Sequence, residues 1–260
     1  MTTTTTRTSS PSRTARNVAL GVGYLALAAL GVALLATAAD RLLGLLSGIL
    51  LLLVAVAGFV LVGFDAWYPR HRAGVVVAAA PSGAVATAFP RSKVPMAMST
   101  VLPAALAAWG VLGCILAAAA DEPVAAVVLA LVAVGVATPL VAVVRGQVAP
   151  GGLYLTPAGI EHRKEAVTWS LRWEDVTGVV PGAPLAVLRT TAPQLRTTTR
   201  VLWQREPSGP PGVQAVDSRY LAEDDVVVAA VIARCIAHPE QRARMGTEAA
   251  VAEIVATRAR

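Results

Sequence analysis

Residues 42–64 read LLGLLSGILLLLVAVAGFVLVGF, an uninterrupted apolar run without one charged side chain. At about 1.5 Å per helical residue, some 20 such residues cross the roughly 30 Å hydrocarbon core of a bilayer. A core helix of a soluble protein keeps a polar face; this run has none, so it reads as a transmembrane helix. Working outward, three more runs meet the same criterion: Val18–Ala39, Met96–Ala120 and Val124–Val144, again free of charge. Asp40-Arg41 divides the first pair and Asp121-Glu122-Pro123 the second. Connections this short imply two helical hairpins. Ala36-Thr37-Ala38 has the small residues of a signal cleavage site, but the run before it is long for a signal peptide and reads as a membrane helix.

Composition agrees. The chain is 55% hydrophobic and 15% charged, against about a quarter charged in soluble domains. Residues 1–144 carry 8 basic and 4 acidic side chains, and residues 145–260 carry 14 and 12. The basic residues of the first part flank the apolar runs. Arg7, Arg13, Arg16, Arg70, Arg72, Arg91, Lys93 and Arg145 fall on one side, while the other has Arg41 beside Asp40 and the acidic Asp121-Glu122. The bias of Lys and Arg toward the cytoplasm places both termini inside, in a multi-pass protein of the cell membrane. A basic stripe interleaved with aromatics is missing, so nucleic acid is not an expected partner.

No Asp, Glu, Lys, Arg or His interrupts the four runs, and ion-coupled transport usually needs such groups within the bilayer. Pro103 and Pro139 introduce possible kinks and nothing more. A small transporter or channel component built by helix oligomerisation is the alternative reading. Gly44 and Gly48 stand four apart, a spacing that permits close helix approach. They are the candidate packing residues, whether within the chain or in a homo-oligomer.

The domain organisation follows. Residues 1–16, rich in Thr, Ser and Arg, form a disordered tail. Residues 17–145 form the four-helix transmembrane domain. Its middle loop, about 67–95, holds a β-hairpin in which Val75–Ala80 and Ala84–Phe89 flank Pro81-Ser82-Gly83. Trp67 and Tyr68 suit a membrane interface; Trp109, mid-helix, does not. Residues 146–260 form a cytoplasmic domain. Within it Val167–Glu174 alternates strictly: Val167, Trp169, Leu171 and Trp173 on one face, Thr168, Ser170, Arg172 and Glu174 on the other. That is a half-buried strand. Further strands are expected at Leu153–Thr156, Ile160–Lys164, Val176–Val180, Leu185–Thr190, Leu195–Gln204 and Val213–Asp217. Helices follow from Asp224 to Ala237 and from Thr247 to about Arg258.

Strands followed by helices suggest a PH-like order. Leu155-Thr156-Pro157-Ala158-Gly159-Ile160, then Arg163, then Trp173-Glu174-Asp175-Val176, resembles the motif of bacterial PH-like domains. Tyr220–Asp224 and His238–Arg242 are similar to the ends of actinobacterial membrane proteins that carry such a domain. The resemblance implies a PH-like antiparallel β-barrel or sandwich closed by C-terminal helices and tethered to the membrane. It implies no activity, because fold is not function.

The catalytic motifs are missing. His71, His162 and His238 are scattered, Glu161-His162-Arg163-Lys164-Glu165 reads as a solvated loop or strand edge, and Glu174-Asp175 point to opposite faces of a strand. Cys114 and Cys235 lack metal-ligand spacing and read as small buried side chains. No catalytic residue, metal or cofactor is expected. The candidate interaction surface is basic, formed by Arg163, Lys164, Arg189, Arg196 and Arg200 and facing anionic lipid head groups or a membrane-protein partner. The expected role is membrane-anchored binding or scaffolding, not catalysis.

Overall fold

The computed structural model describes residues 13–37, 42–67, 74–199 and 210–258. Its contacts divide the chain into two units, Met1–Trp67 with Met98–Thr138, and Tyr68–Ala97 with Pro139–Arg260.

Four helices, α1 (Arg13–Thr37), α2 (Leu42–Trp67), α3 (Val94–Ala119) and α4 (Pro123–Val144), are each long and apolar enough to cross a membrane. Helix α1 starts at Arg13, inside the stretch expected to be a tail, because Ala and Arg extend an existing helix at little cost. The rest of that tail lies outside the described residues. In the first unit the glycines set the packing of α1 and α2. A Cβ on Gly48 would lie 2.7 Å from Leu35 Cγ and 2.9 Å from the Gly31 carbonyl oxygen. The Tyr24 ring fills the space beside Gly58. Gly44, one turn from Gly48, is half-buried. Trp109 Nε1 donates to the Leu46 carbonyl at 3.1 Å, so the mid-helix tryptophan links α3 to α2. Gly110 faces Ala133 and the Leu129 carbonyl of α4.

Among the described residues the second unit holds nine strands in two antiparallel sheets. The larger runs β1 (Val76–Ala79), β2 (Val85–Pro90), β3 (Ala149–Leu155), β4 (Gly159–Glu165), β5 (Val167–Arg172) and β8 (Gln194–Thr197), in that spatial order. The smaller is β6 (Val176–Val180), β7 (Leu185–Arg189) and β9 (Val213–Val216). The loop hairpin is therefore not an appendage of the helices. Phe89 of β2 stands opposite Leu153 of β3, and Thr87 opposite Leu155, with all four side chains buried.

Among the described residues the sheets do not close into the barrel that the PH-like reading allowed; they stay two separate sheets. The strand expected over Val167–Glu174 ends at Arg172, and Trp173–Asp175 forms a 3-10 turn that carries the chain from one sheet to the other. Trp173 is nonetheless 2% exposed; its Nε1 donates to the Thr156 carbonyl at 2.9 Å. Of the strand expected over Leu195–Gln204, the described part is strand only as far as Thr197. β8 has four residues, all exposed, because none of its side chains reaches the core. Residues 200–209, with Arg200 and Trp203 among them, lie outside the described residues, as do Tyr68 and His71.

The core lies between the sheets and α5 (Asp225–Ala237). It joins Phe89, Leu153, Leu155, Ile160, Trp169, Leu171 and Trp173 to Leu185, Val187 and Val216, and to Val228, Val231, Ile232 and Cys235 of α5. The Asp224 side chain caps α5 by accepting from the Val226 N–H. Burial pushes the Cys235 thiol up to about 11. Helices α6 (Pro239–Arg242) and α7 (Glu248–Arg258) complete the unit, with Ala250 and Ile254 of α7 in the core.

The Leu155–Ile160 motif has a structural role. Thr156 Oγ1 accepts from the Gly159 N–H and donates to the Gly159 carbonyl, closing the β3–β4 turn. A Cβ on Gly159 would sit 2.1 Å from the Leu171 carbonyl oxygen, so the close approach of β4 to β5 requires glycine there.

Candidate functional site

Strand alternation puts Ile160, His162 and Lys164 of β4 toward the core side, and Glu161 and Arg163 on the outer face of the larger sheet. Register continues that outer face: Arg163 is opposite Thr168 of β5, and Thr168 opposite Arg196 of β8; Glu161 is opposite Ser170, and Ser170 opposite Gln194. With Pro81, Ser82, Leu195 and Thr198 these residues line a groove of about 420 Å³. A second hollow of about 240 Å³ shares Glu161, Ser170 and Gln194.

One wall of the groove is tied down. The Ser82 N–H donates to Glu161 Oε2 at 3.0 Å, and the Ser82 hydroxyl to Oε1. Glu161 is 8% exposed, and the hairpin turn supplies its donors. The mixed-charge run 161–165 is thus an interior strand and not a solvated edge, because β3 and β5 pair with it on both sides. With Glu161 occupied by Ser82, Arg163 and the exposed Arg196 supply the positive charge of the groove.

The expected basic cluster divides between surfaces. Arg163 and Arg196 share the groove. Lys164 faces the other way and pairs with Asp217 at 3.1 Å. Arg189 ends β7 in the smaller sheet, where its Nη1 donates to the Thr191 carbonyl at 2.7 Å. Glu174 sits in the 3-10 turn and pairs with the exposed Arg172 at 3.1 Å.

A second polar centre lies on the core side. Asp217, just after β9, accepts from Arg91 at 3.0 Å and from Arg219 at 3.1 Å, besides Lys164. Arg91 and Arg219 both lie over the Tyr220 ring. Burial opposes ionisation of Asp217, but the hydrogen bond from Arg219 and the charges of Arg91, Lys164 and Arg219 outweigh it. The carboxyl is held well below the usual range. Asp217 thereby ties strand β4 and the end of β2 in one sheet to the end of β9 in the other.

His162, 3% exposed, lies beside this centre and against Trp169, ring centroids 5.4 Å apart. Burial pushes its imidazole down to about 3, helped by the Arg91 and Lys164 charges and opposed by Asp217. His162 Nε2, Trp169 Nε1 and Arg91 Nε are buried with no hydrogen-bond partner among the described residues. No three His, Cys, Asp or Glu side chains among the described residues gather as a metal site.

Sequence reasoning missed Ser82, Glu161 and Gln194 of the groove, and Arg91, Asp217 and Arg219 of the second centre. Arg163, Arg196 and Lys164 carried a signal as basic residues, and Thr168 and Ser170 as the wet face of the alternating strand. Compared with known proteins, the chain matches no family model, no curated protein and no solved structure.

Proposed function

We propose that the chain is a membrane-anchored binding protein. Its four helices fold as two hairpins in the cell membrane, with both termini in the cytoplasm, and its β domain is a PH-like module that recognises an acidic segment of a membrane-protein partner. The observation that carries this reading is the groove on the outer face of the larger sheet. Arg163 and Arg196 flank Thr168 along one row of the register. Both carboxylate oxygens of Glu161 are engaged by Ser82, which disfavours their pairing with the arginines. Thr168, Ser170, Gln194 and Thr198 supply hydroxyl and amide groups around the cations. Arginine pairs well with carboxylates because its planar donors match two oxygens. Beside the groove, the exposed β8 is the outer strand among the described residues, and an outer strand can hydrogen-bond an extended peptide. Two sheets with α5 packed against them, together with the Leu155–Val176 motif, support the PH-like assignment. The positive flanks of the apolar runs support the orientation.

The test is a photo-crosslinking side chain at Thr168 of the full chain in its native membrane. A discrete protein adduct should form there and disappear when Arg163 and Arg196 are both changed to Glu. An adduct that survives the charge reversal, or the same adduct from a probe at the exposed Ala243, refutes the reading.

A further inference from the structure

Within the second unit, the Asp217 centre includes a residue close to the start of α3. Arg91 is three residues before Val94, the first residue of α3. Ser92, which follows Arg91, donates its N–H to the Tyr220 carbonyl and accepts from the Val94 N–H through its hydroxyl. On the α4 side, Ala142 and Val143 pack with Met96, Val148 and Ala166. The start of α3, the end of α4 and the β4–β5 turn therefore form one packed cluster, two residues along the chain from Lys164.

Helix α4 has 22 residues, about 33 Å at 1.5 Å each, which is the thickness of a hydrocarbon core. Residues just beyond such a helix lie at the depth of the lipid head groups. Lys93 and Arg145 stand there by sequence, one residue before α3 and one residue after α4, and close by Asp217 gathers Arg91, Lys164 and Arg219. Asp217 fixes three of the five cations in place. Arg91 is 9% exposed with its Nε unmet among the described residues, so a guanidinium is held nearly buried with donor capacity left over. An ordinary solvated positive flank needs no such scaffold: there, flexible lysines and arginines suffice. A phosphate is the acceptor that fits several fixed cations at once, and anionic head groups attract basic residues beside a span.

We propose that Arg91, Lys164 and Arg219, organised by Asp217 and flanked by Lys93 and Arg145, form a recognition site for the phosphate of an anionic phospholipid in the bilayer that α3 and α4 cross. The site is separate from the sheet groove and does not depend on the partner assigned to it.

The experiment uses the full chain in lipid nanodiscs. Its melting temperature in discs that mix phosphatidylglycerol with phosphatidylcholine should exceed that in phosphatidylcholine alone, and added salt should shrink the difference. The double variant Lys93→Gln/Arg145→Gln, at two exposed positions, should keep the phosphatidylcholine value and lose at least half of the difference. Arg219→Gln should also lose part of it. Arg196→Gln, in the groove, should keep all of it, so failure of the lipid site and failure of the groove register separately. The proposal is overturned if the parent gains nothing from phosphatidylglycerol, if the double variant gains as much as the parent, or if Arg196→Gln loses as much as the double variant. It is also overturned if millimolar inorganic phosphate stabilises phosphatidylcholine discs to the same extent, since the ligand would then be a soluble anion.

Discussion

Replacing His162 with Leu tests the interior of the β domain through pH. The folded imidazole has its pKa lowered to about 3, whereas an unfolded histidine titrates near 6.5. Between those values the unfolded chain binds a proton that the folded chain refuses, so stability rises with pH across the window. It is fully present above about pH 6.5 and drains away as the pH falls toward 3. The slope approaches about 1.4 kcal/mol per pH unit, which gives a loss of roughly 2 kcal/mol between pH 8 and pH 5. Asp217 acts lower down. Its folded pKa is depressed, so its contribution is present above the ordinary carboxylate value of about 3.9 and is lost below it. Measurements between pH 4.5 and 8 therefore isolate His162, and titrations common to both chains cancel in the difference. His162→Leu should flatten this part of the profile. At pH 8 it should be neutral or slightly stabilising, because it removes a buried Nε2 without a partner among the described residues. The assay is urea unfolding of the full chain in detergent, followed by the emission of the buried Trp169 and Trp173. Parallel pH profiles for parent and variant would refute the argument.

Other perturbations separate the interior from the surface. Trp173→Ala should cost about 3–5 kcal/mol by opening a large cavity, while Arg172→Ala, an exposed side chain paired with an exposed Glu174, should cost about 0.5 kcal/mol or less in the same unfolding assay. Asp217→Ala should cost about 3–5 kcal/mol because it leaves Arg91 buried and unpaired; Arg219→Ala, whose side chain is 41% exposed, should cost less than about 1 kcal/mol. Gly48→Val should force α1 from α2 and lower the melting temperature in detergent, at about 1–3 kcal/mol, whereas Gly63→Ala, with open space around it, should be neutral. Reporter fusions after residues 16, 121 and 145 should read inside, outside and inside; an outside signal from the last would reverse the orientation.

The features legible from sequence are those that physics settles locally. A 23-residue charge-free run has one stable environment, since every backbone donor must be satisfied inside the segment, and α2 indeed spans Leu42–Trp67. Alternation at Val167–Leu171 likewise names a buried face, because neighbouring side chains on a strand point oppositely. The GxxxG glycines announce close approach, but only packing shows that Gly48 meets Gly31 and Leu35. Tertiary structure alone decided what depends on neighbours far along the chain. Glu161 and His162 read as solvated because their local run is charged; they are buried because β3 and β5 flank them and Ser82, 79 residues away, satisfies the carboxylate. The hairpin of β1 and β2 joins the sheet of a segment some sixty residues later because Phe89 and Thr87 find Leu153 and Leu155. Arg91 and Asp217 are 126 positions apart; the positive flank marks Arg91 as basic, but no local pattern joins it to Asp217. Pairing across such distances is set by which buried charges and unpaired sheet edges must be satisfied together, a condition that exists only once the chain has folded.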